Sequence, residues 1–164
     1  MILRAATADD YPYLQDIENR AGVMFIEAGM PEIAEHPPPT VEELAAAAAL
    51  FVVVDGDDRL GYAWVEIVDG HTHLEQLSVV PERGGRGIGT QLLDAVADWA
   101  RARGDTEVTL TTFRHIAFNM PLYERRGYVE IPTDQRPPGL VELMGEEATH
   151  FLDPTTRVAM RRRL

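Results

Sequence analysis

The chain contains no cysteine among its 164 residues. Disulfides, thiolate nucleophiles and cysteine-based zinc sites are therefore excluded, and the composition suits a reducing compartment. Long apolar runs are missing as well. Nothing approaches the ~20 residues needed to cross a bilayer, and the opening Met-Ile-Leu-Arg-Ala-Ala-Thr-Ala-Asp-Asp has no apolar stretch of signal-peptide length. A cytoplasmic protein with no membrane partner is expected. Positive charge is scarce: 15 Lys and Arg stand against 27 Asp and Glu, a formal net charge of −12 at pH 7. Such a surface repels nucleic-acid phosphates, and Arg161-Arg162-Arg163 is too short a cluster to reverse that. It favours a cationic partner such as an amine, although solubility alone accounts for it equally well. Neither repeats nor a linker interrupt the chain. Its hydrophobic (45%) and charged (26%) fractions are those of a soluble globular protein. One domain over residues 1–164, large enough to bury a sizeable core, is the expectation.

Turn and cap signals divide the chain into alternating elements. Ile2 to Ala5 reads as a strand. Thr7 caps a helix running past Asn19, with Asp9 and Asp10 in its first turn and Leu14 and Ile17 on its apolar side. Ala21 to Pro39 is irregular, with a loop at His36-Pro-Pro-Pro39. Thr40-Val-Glu-Glu43 is a capping box opening a second helix into the alanine run 45–49. Phe51–Val54, Leu60–Val68 and His71–Val80 then form an antiparallel meander, turned at Asp55–Asp58 and at the two-residue signal Asp69-Gly70. Ile88, Leu92, Val96 and Trp99, widened by Leu93 and Ala100, recur at helical spacing up to Gly104. A whole helix separates Glu107–Phe113 from His71–Val80, so these two strands can lie parallel. Asn119 caps a short helix that closes at Gly127. Tyr128–Ile131, a helical Leu140–His150 and a final strand Thr156–Arg163 complete the chain. The fold class is α/β: a mixed sheet of about seven strands flanked by helices.

The richest segment is 77–89, Leu-Ser-Val-Val-Pro-Glu-Arg-Gly-Gly-Arg-Gly-Ile-Gly. A strand stops at Pro81, four glycines follow (Gly84, Gly85, Gly87, Gly89), and a helix opens. This arrangement presents unpaired N–H groups to an anion, and the missing Cβ atoms let a phosphate approach the backbone. A P-loop would need Gly-Lys-Ser/Thr, which is absent. The dinucleotide fingerprint Gly-x-Gly-x-x-Gly is spaced differently from Gly85-x-Gly87-x-Gly89. Asp105 lies at about the right distance for a ribose carboxylate, but it precedes its strand instead of ending one.

Val79-Val80-Pro81-Glu82-Arg83-Gly84-Gly85-Arg86-Gly87-Ile88-Gly89 resembles the acyl-CoA pyrophosphate loop of the GCN5-related N-acetyltransferases. Asn119-Met-Pro-Leu-Tyr123-Glu-Arg-Arg-Gly127-Tyr128, which begins 30 residues after Gly89, resembles that family's Asn…Leu-Tyr-x-x-x-Gly-Phe/Tyr segment. The resemblance covers roughly residues 1–131 and implies the acyl-CoA N-acyltransferase fold, with acetyl-CoA as co-substrate. The family's Arg/Gln-x-x-Gly-x-Gly/Ala pattern places its first position on Gly84. Arg83, or Arg86 toward the coenzyme's 3′-phosphate, is then the candidate for the lost side-chain contact; both also read simply as exposed loop arginines. The coenzyme set implied by the resemblance is Leu77, Ser78, Val79, Arg83, Gly84, Gly85, Arg86, Gly87, Ile88, Gly89, Thr90, Asn119 and Tyr123. Main-chain groups around Leu77 and Val79 would pair with the pantetheine amides, and one N–H there would polarise the thioester carbonyl. For Asn119 the helix N-cap and a contact to the pantetheine arm are compatible readings.

His71-x-His73-x-Glu75 is the second chemical feature. At a strand period of two, these side chains share a face with Leu77 and Val79. An alkylammonium with a pKa near ~10 has no free lone pair at neutral pH and must be deprotonated before it attacks a thioester. The resemblance places the proton acceptor at this end of this strand; Glu75 is favoured, with His73 as partner or substitute. His71 reads more simply as flanking the hairpin. Tyr123 matches the family's phenol that protonates the departing thiolate, against a plain packing role. Acids with apolar neighbours (Phe25, Glu27, Met30, Glu32, Glu35, then Glu142, Met144, Glu146, His150) suit an amine with a hydrophobic part, or simply a solvated face.

The leading expectation is an N-acetyltransferase: direct attack of a primary amine on acetyl-CoA in a ternary complex, with no cysteine for an acyl-enzyme. A small-molecule or peptide amine is the expected partner, and a homodimer is compatible with the chain. A non-catalytic acyl-CoA sensor is the alternative. A metal-dependent enzyme using His71 and His73 is the weakest reading, since no third ligand cluster accompanies them; no metal is expected.

Overall fold

Short turns set the middle of the sheet. Asp69 (φ 55°) and Gly70 (φ 76°) both adopt left-handed backbone, the geometry in which a two-residue turn matches the twist of paired strands. It joins strands Asp58–Val68 (β3) and His71–Val79 (β4). Ile2–Ala5 (β1) and Ala49–Asp55 (β2) extend the sheet on one side, with Ile2 opposite Val54 and Ala49 opposite Val65 in antiparallel register. Glu107–Phe113 (β5) runs parallel to β4, His73 opposite Thr109. Val129–Ile131 (β6) and Arg157–Arg163 (β7) finish the sheet in the order β1-β2-β3-β4-β5-β7-β6, so the last strand is inserted between its predecessors. This is the expected mixed, seven-stranded α/β architecture. The computed structural model describes residues 1–114, 116, 119–149 and 156–164.

The chain divides into two compact units, Met1–Val65 with Gln76–Val96, and Glu66–Glu75 with Ala97–Leu164. In the first, helix Tyr11–Glu27 (α1) buries Leu14 and Ile17 against Leu44, Leu50, Val52, Tyr62 and Val80. Each such aliphatic side chain contributes about 1.5–3 kcal/mol on burial. The α1 helix continues through the stretch expected to be irregular, and Pro31–Glu35 (α2) adds another turn, with Pro31 pre-set at a helix start. Val41–Ala45 (α3) has the expected capping box, Glu43 N–H donating to Thr40 Oγ1 at 3.1 Å. It stops short of the alanine run's end. Ala48 N–H bonds to the Val65 carbonyl at 2.9 Å, and sheet pairing overrides alanine's helix preference from Ala49 on.

Asp10 stands in the first turn as expected, and the structure adds that it is fully buried. It accepts from both terminal nitrogens of Arg4 (2.7 and 3.0 Å), Arg59 Nε (3.0 Å) and the Thr7 N–H (2.8 Å). The Arg4 guanidinium, foremost, holds its carboxyl well below the usual carboxylate range.

In the second unit, Ile131, Leu140 and Ala159 form a core with Val68, Leu143 and Met144. Helix Pro138–Thr149 covers the expected helical stretch as far as Thr149 and starts two residues earlier. Its first N–H groups are capped from a distance: Asp69 accepts from Gly139 (2.7 Å) and Leu140 (3.0 Å). Helix Ile88–Arg103 (α4) passes through both units. Its buried stripe is Ile88, Leu92, Leu93, Val96, Ala97 and Ala100. Trp99 lies at the margin of that stripe, beneath the Arg103 guanidinium at 5.1 Å.

Candidate functional site

The glycine segment folds as a strand, a turn and a helix N-terminus. After β4, Pro81–Arg83 makes one 3₁₀ turn, closed by Arg83 N–H to Val80 O (3.0 Å) and Gly84 N–H to Pro81 O (3.2 Å). Gly85 and Gly87 then both take φ +76°, a conformation that an L side chain rarely adopts, and nothing stands within 4 Å of where their Cβ atoms would be. The first loop-to-helix bond is Gln91 N–H to Gly87 O at 3.0 Å, so the N–H groups of Ile88, Gly89 and Thr90 precede the helical ladder. An open backbone cradle at the positive end of the 16-residue helix α4 is what a diphosphate requires. The residues present fit the coenzyme's phosphates. Arg83 leans toward Asp58 at 4.0 Å, whereas Arg86 is exposed and makes no ion pair among the described residues. Beside the 3₁₀ turn lies a cavity of about 400 Å³ lined by Tyr13, Arg20, Asp58, Leu60, Glu82 and Arg83.

Strand β4 carries the remaining first-unit candidates, with Ser78 buried and Leu77 and Val79 half-buried. At its other end, strict alternation fails: Thr72, His73 and Leu74 are all buried, so both faces of the strand are covered there. His73 is 1% exposed. Its Nδ1 meets Thr109 Oγ1 at 2.8 Å, and its Nε2 lies 3.8 Å from Glu75 Oε2. Burial, helped by the Arg157 charge, pushes its pKa down to about 4, so the ring is neutral at pH 7. Glu75 is about one-third exposed. Among the described residues, no group of three His, Asp or Glu side chains is arranged to hold a metal ion.

Asn119 and Tyr123 flank the start of helix Met120–Arg125 in the second unit. Asn119 occupies the N-cap position, but its side chain does not cap; its carbonyl accepts from Leu122 (3.1 Å) and Tyr123 (3.3 Å). Tyr123 is 8% exposed, edge-on to Tyr128 with ring centroids 5.9 Å apart. Burial pushes its phenol up to about 12. Asp105 is structural: it accepts from the Thr72 N–H at 3.1 Å and from the Thr72 hydroxyl, and pairs with Arg103 at 3.1 Å.

Two charged groups escaped the sequence reading. Glu18, on α1, accepts a hydrogen bond from Ser78. Its signal was present in the chain: with Leu14 and Ile17 facing the core, position 18 falls on the same stripe, and an acid there breaks the apolar pattern. Arg157 is the other. It pairs with Glu147, donates to Thr111 Oγ1 at 2.6 Å and lies over the Phe113 ring at 4.5 Å. No local pattern marks it, because its partners come from two other elements, β5 and the helix Pro138–Thr149. Of the acceptor-side acids, Glu27, Glu32, Glu35, Glu142 and Glu146 are exposed, Phe25, Met30 and Met144 are half-buried, and His150 lies outside the described residues.

Comparison with known proteins is consistent with this geometry. The acetyltransferase (GNAT) family model matches residues 12–128. A mycothiol acetyltransferase from Clavibacter michiganensis subsp. michiganensis (strain NCPPB 382) is 30% identical over 135 residues, 82% of this chain and 44% of that protein. The chain thus spans under half the length of the curated relative. Among solved structures, the PaiA N-acetyltransferase of Thermoplasma acidophilum in complex with coenzyme A superposes with a TM-score of 0.68 at 15% identity, covering 99% of this chain and 98% of that one. The ribosomal-protein-S18-alanine N-acetyltransferase of Escherichia coli does so with 0.68 at 18% identity, covering 99% and 92%. No described helix is long and apolar enough to cross a membrane.

Proposed function

The chain belongs to the acetyltransferase (GNAT) family and is an acyltransferase with acetyl-CoA as its co-substrate; from that premise we propose that it acetylates a primary amine by direct attack in a ternary complex. Residues 1–164 act as one N-acetyltransferase domain in this reading, since β3, β4 and α4 each run through both compact units. The observation that carries the reading is the loop of Gly85 and Gly87 opening into α4. Gly85, Arg86, Gly87, Ile88, Gly89 and Thr90 would hold the pyrophosphate, with Arg86 the side chain best placed to replace the contact missing at Gly84, because Arg83 leans toward Asp58. Leu77, Ser78, Val79 and Asn119 would hold the pantetheine arm.

When bound, acetyl-CoA supplies the thioester carbonyl that the amine attacks and the sulfur that departs with the bonding pair. Glu75 takes the ammonium proton, directly or through water, which frees the nitrogen lone pair. It is the better candidate than His73 on access, one-third exposed against 1%. His73 then acts as a neutral positioning group fixed by Thr109. Tyr123 serves the departing sulfur. With its phenol near pH 12, outright proton transfer to a thiolate of reference pKa ~8.5 is uphill by about 5 kcal/mol. A hydrogen bond donated to the developing charge carries no such cost, and that is the role assigned to it.

The test is thermal shift with acetyl-CoA followed by free-thiol release against a panel of small-molecule and peptide amines. A mycothiol-related acceptor is included on the strength of the relative named above. Stabilisation plus thiol release is expected. Stabilisation without release makes the protein an acyl-CoA sensor, and no stabilisation removes both readings. Replacing Glu75 with Gln should lower kcat/KM by about 10²–10⁴-fold at neutral pH; full activity would eliminate it as the base. Tyr123→Phe should cut kcat by about 10-fold, the weight of one lost hydrogen bond, and leave acetyl-CoA affinity intact. A collapse of that affinity would show a packing role instead.

A further inference from the structure

Arg157 is a buried cation with no part in the steps assigned to Glu75, His73 and Tyr123. Its side chain is 11% exposed. Nη2 donates to Thr111 Oγ1 at 2.6 Å and pairs with Glu147, while the guanidinium lies over the Phe113 ring at 4.5 Å. Its Nε is buried and meets no acceptor among the described residues. An unsatisfied donor costs free energy, and a methionine would pack on Phe113 without that cost. The sheet places Arg157 on the face where His73 stands. His73 is opposite Thr109 in the β4–β5 register, and Thr109, Thr111 and Phe113 alternate along one face of β5. Arg157 is opposite Phe113 in the β5–β7 register. Two hydroxyls on that face, about 7 Å apart at the strand period, meet the His73 ring at one end (2.8 Å) and the Arg157 guanidinium at the other. All these residues belong to the second compact unit, as do Glu75, Tyr123 and Glu147.

We propose that Arg157 is a positioning residue for the acetyl transfer, a fixed cation that keeps the His73 ring a neutral neighbour of Glu75 and so preserves the basicity of that carboxylate. The inference rests on the acetyl-transfer reading above and deepens it. Its ground is the 3.8 Å between His73 Nε2 and Glu75 Oε2. An imidazolium there would pair with the carboxylate and weaken its hold on the ammonium proton. The charges that face His73 are Glu75 on its own strand, Asp69 in the β3–β4 turn, which favours protonation, and Arg157 on β7, which opposes it alongside burial. Glu147, from helix Pro138–Thr149, pairs with Arg157 instead. The same guanidinium acts on the Tyr123 phenol against burial, so its charge reaches both groups.

Imidazole NMR of the full chain follows His73 directly, its resonance identified by its loss in His73→Gln. Arg157→Gln combined with Glu147→Gln replaces the ion pair by neutral groups that can still bond Thr111. In that variant His73 should titrate about one pH unit higher than in the wild type. The acid limb of kcat/KM for the fastest amine of the panel should move up with it. Arg157→Met with Glu147→Leu, an apolar pair of similar volume, is a second route to the same measurement. Glu147→Gln alone breaks the ion pair but keeps the cation, and Arg157→Lys keeps the charge without the fork; in neither should His73 titrate higher. An unmoved His73 titration in the folded double variants overturns the inference. So does an equal upward shift in Glu147→Gln, which marks a structural role for the ion pair. A shifted titration that leaves the acid limb in place overturns it too. A wild type that binds acetyl-CoA yet acetylates no amine removes the acetyl-transfer reading and this inference with it, whereas an active wild type whose His73 titration is indifferent to Arg157 removes the inference alone.

Discussion

The entry of α1 and its middle solve the same problem in opposite ways. Asp10 and Glu18 both point a carboxyl into the first unit, eight residues apart in sequence. Asp10 is met by two guanidinium groups and a backbone N–H, so its charge is neutralised within the fold and its pKa falls. Glu18 accepts from the Ser78 hydroxyl with no arginine paired to it among the described residues, and burial raises its pKa. Desolvation opposes ionisation in both, and the presence of a cation decides the sign. An acid already neutralised serves the fold.

The comparison breaks most visibly at Asp10. Asp10→Ala strands Arg4 and Arg59 and should cost about 3 kcal/mol, the lower end for a broken buried pair because Arg4 still reaches water. A fall in Tm of about 6–12 °C is expected for a chain of this size. A loss below about 1 kcal/mol would mean the network is surface-like.

His73 extends the contrast to a base. Its pKa falls from 6.5 to about 4 in the folded protein, so between these values the unfolded chain binds more protons than the native one. Stability is therefore full above pH 6.5 and declines as pH drops toward 4, by about 3 kcal/mol in all. Denaturant midpoints across that window should shift in the wild type and flatten in His73→Gln. An identical slope in both would show that His73 is not the source.

Glu18 should matter least to stability. Its raised pKa has the opposite linkage: the penalty is absent below the unfolded value of 4.5 and sets in as pH rises. Glu18→Gln should change unfolding free energy at pH 7 by less than about 1 kcal/mol. A loss as great as that at Asp10 would erase the distinction between the two acids.

Much of this was legible locally. The Asp69-Gly70 turn, the Thr40 capping box, and the strand, glycine loop and helix at 77–89 depend on residues close in sequence, and each formed where its chemistry indicated. What failed to read were contacts between distant segments. Ala48 and Ala49 left the helical pattern because β3 offered a backbone partner. Asp10, read as a first-turn acid beside the helix dipole, is also bound by Arg59, 49 residues away. Nothing local in the sequence showed that His73 would be buried, with Thr109 on its ring and the Arg157 charge acting on it.

The sequence by itself therefore determined the backbone chemistry of this protein: an anion cradle between a strand and a helix, because glycine's conformational freedom and the unpaired N–H groups of a helix start need no distant partner. Only the tertiary structure decided which of its many acids meet a cation and which meet neutral donors. Desolvation and countercharge are properties of what surrounds a side chain, and in Asp10, Glu18 and His73 those surroundings come from other parts of the chain.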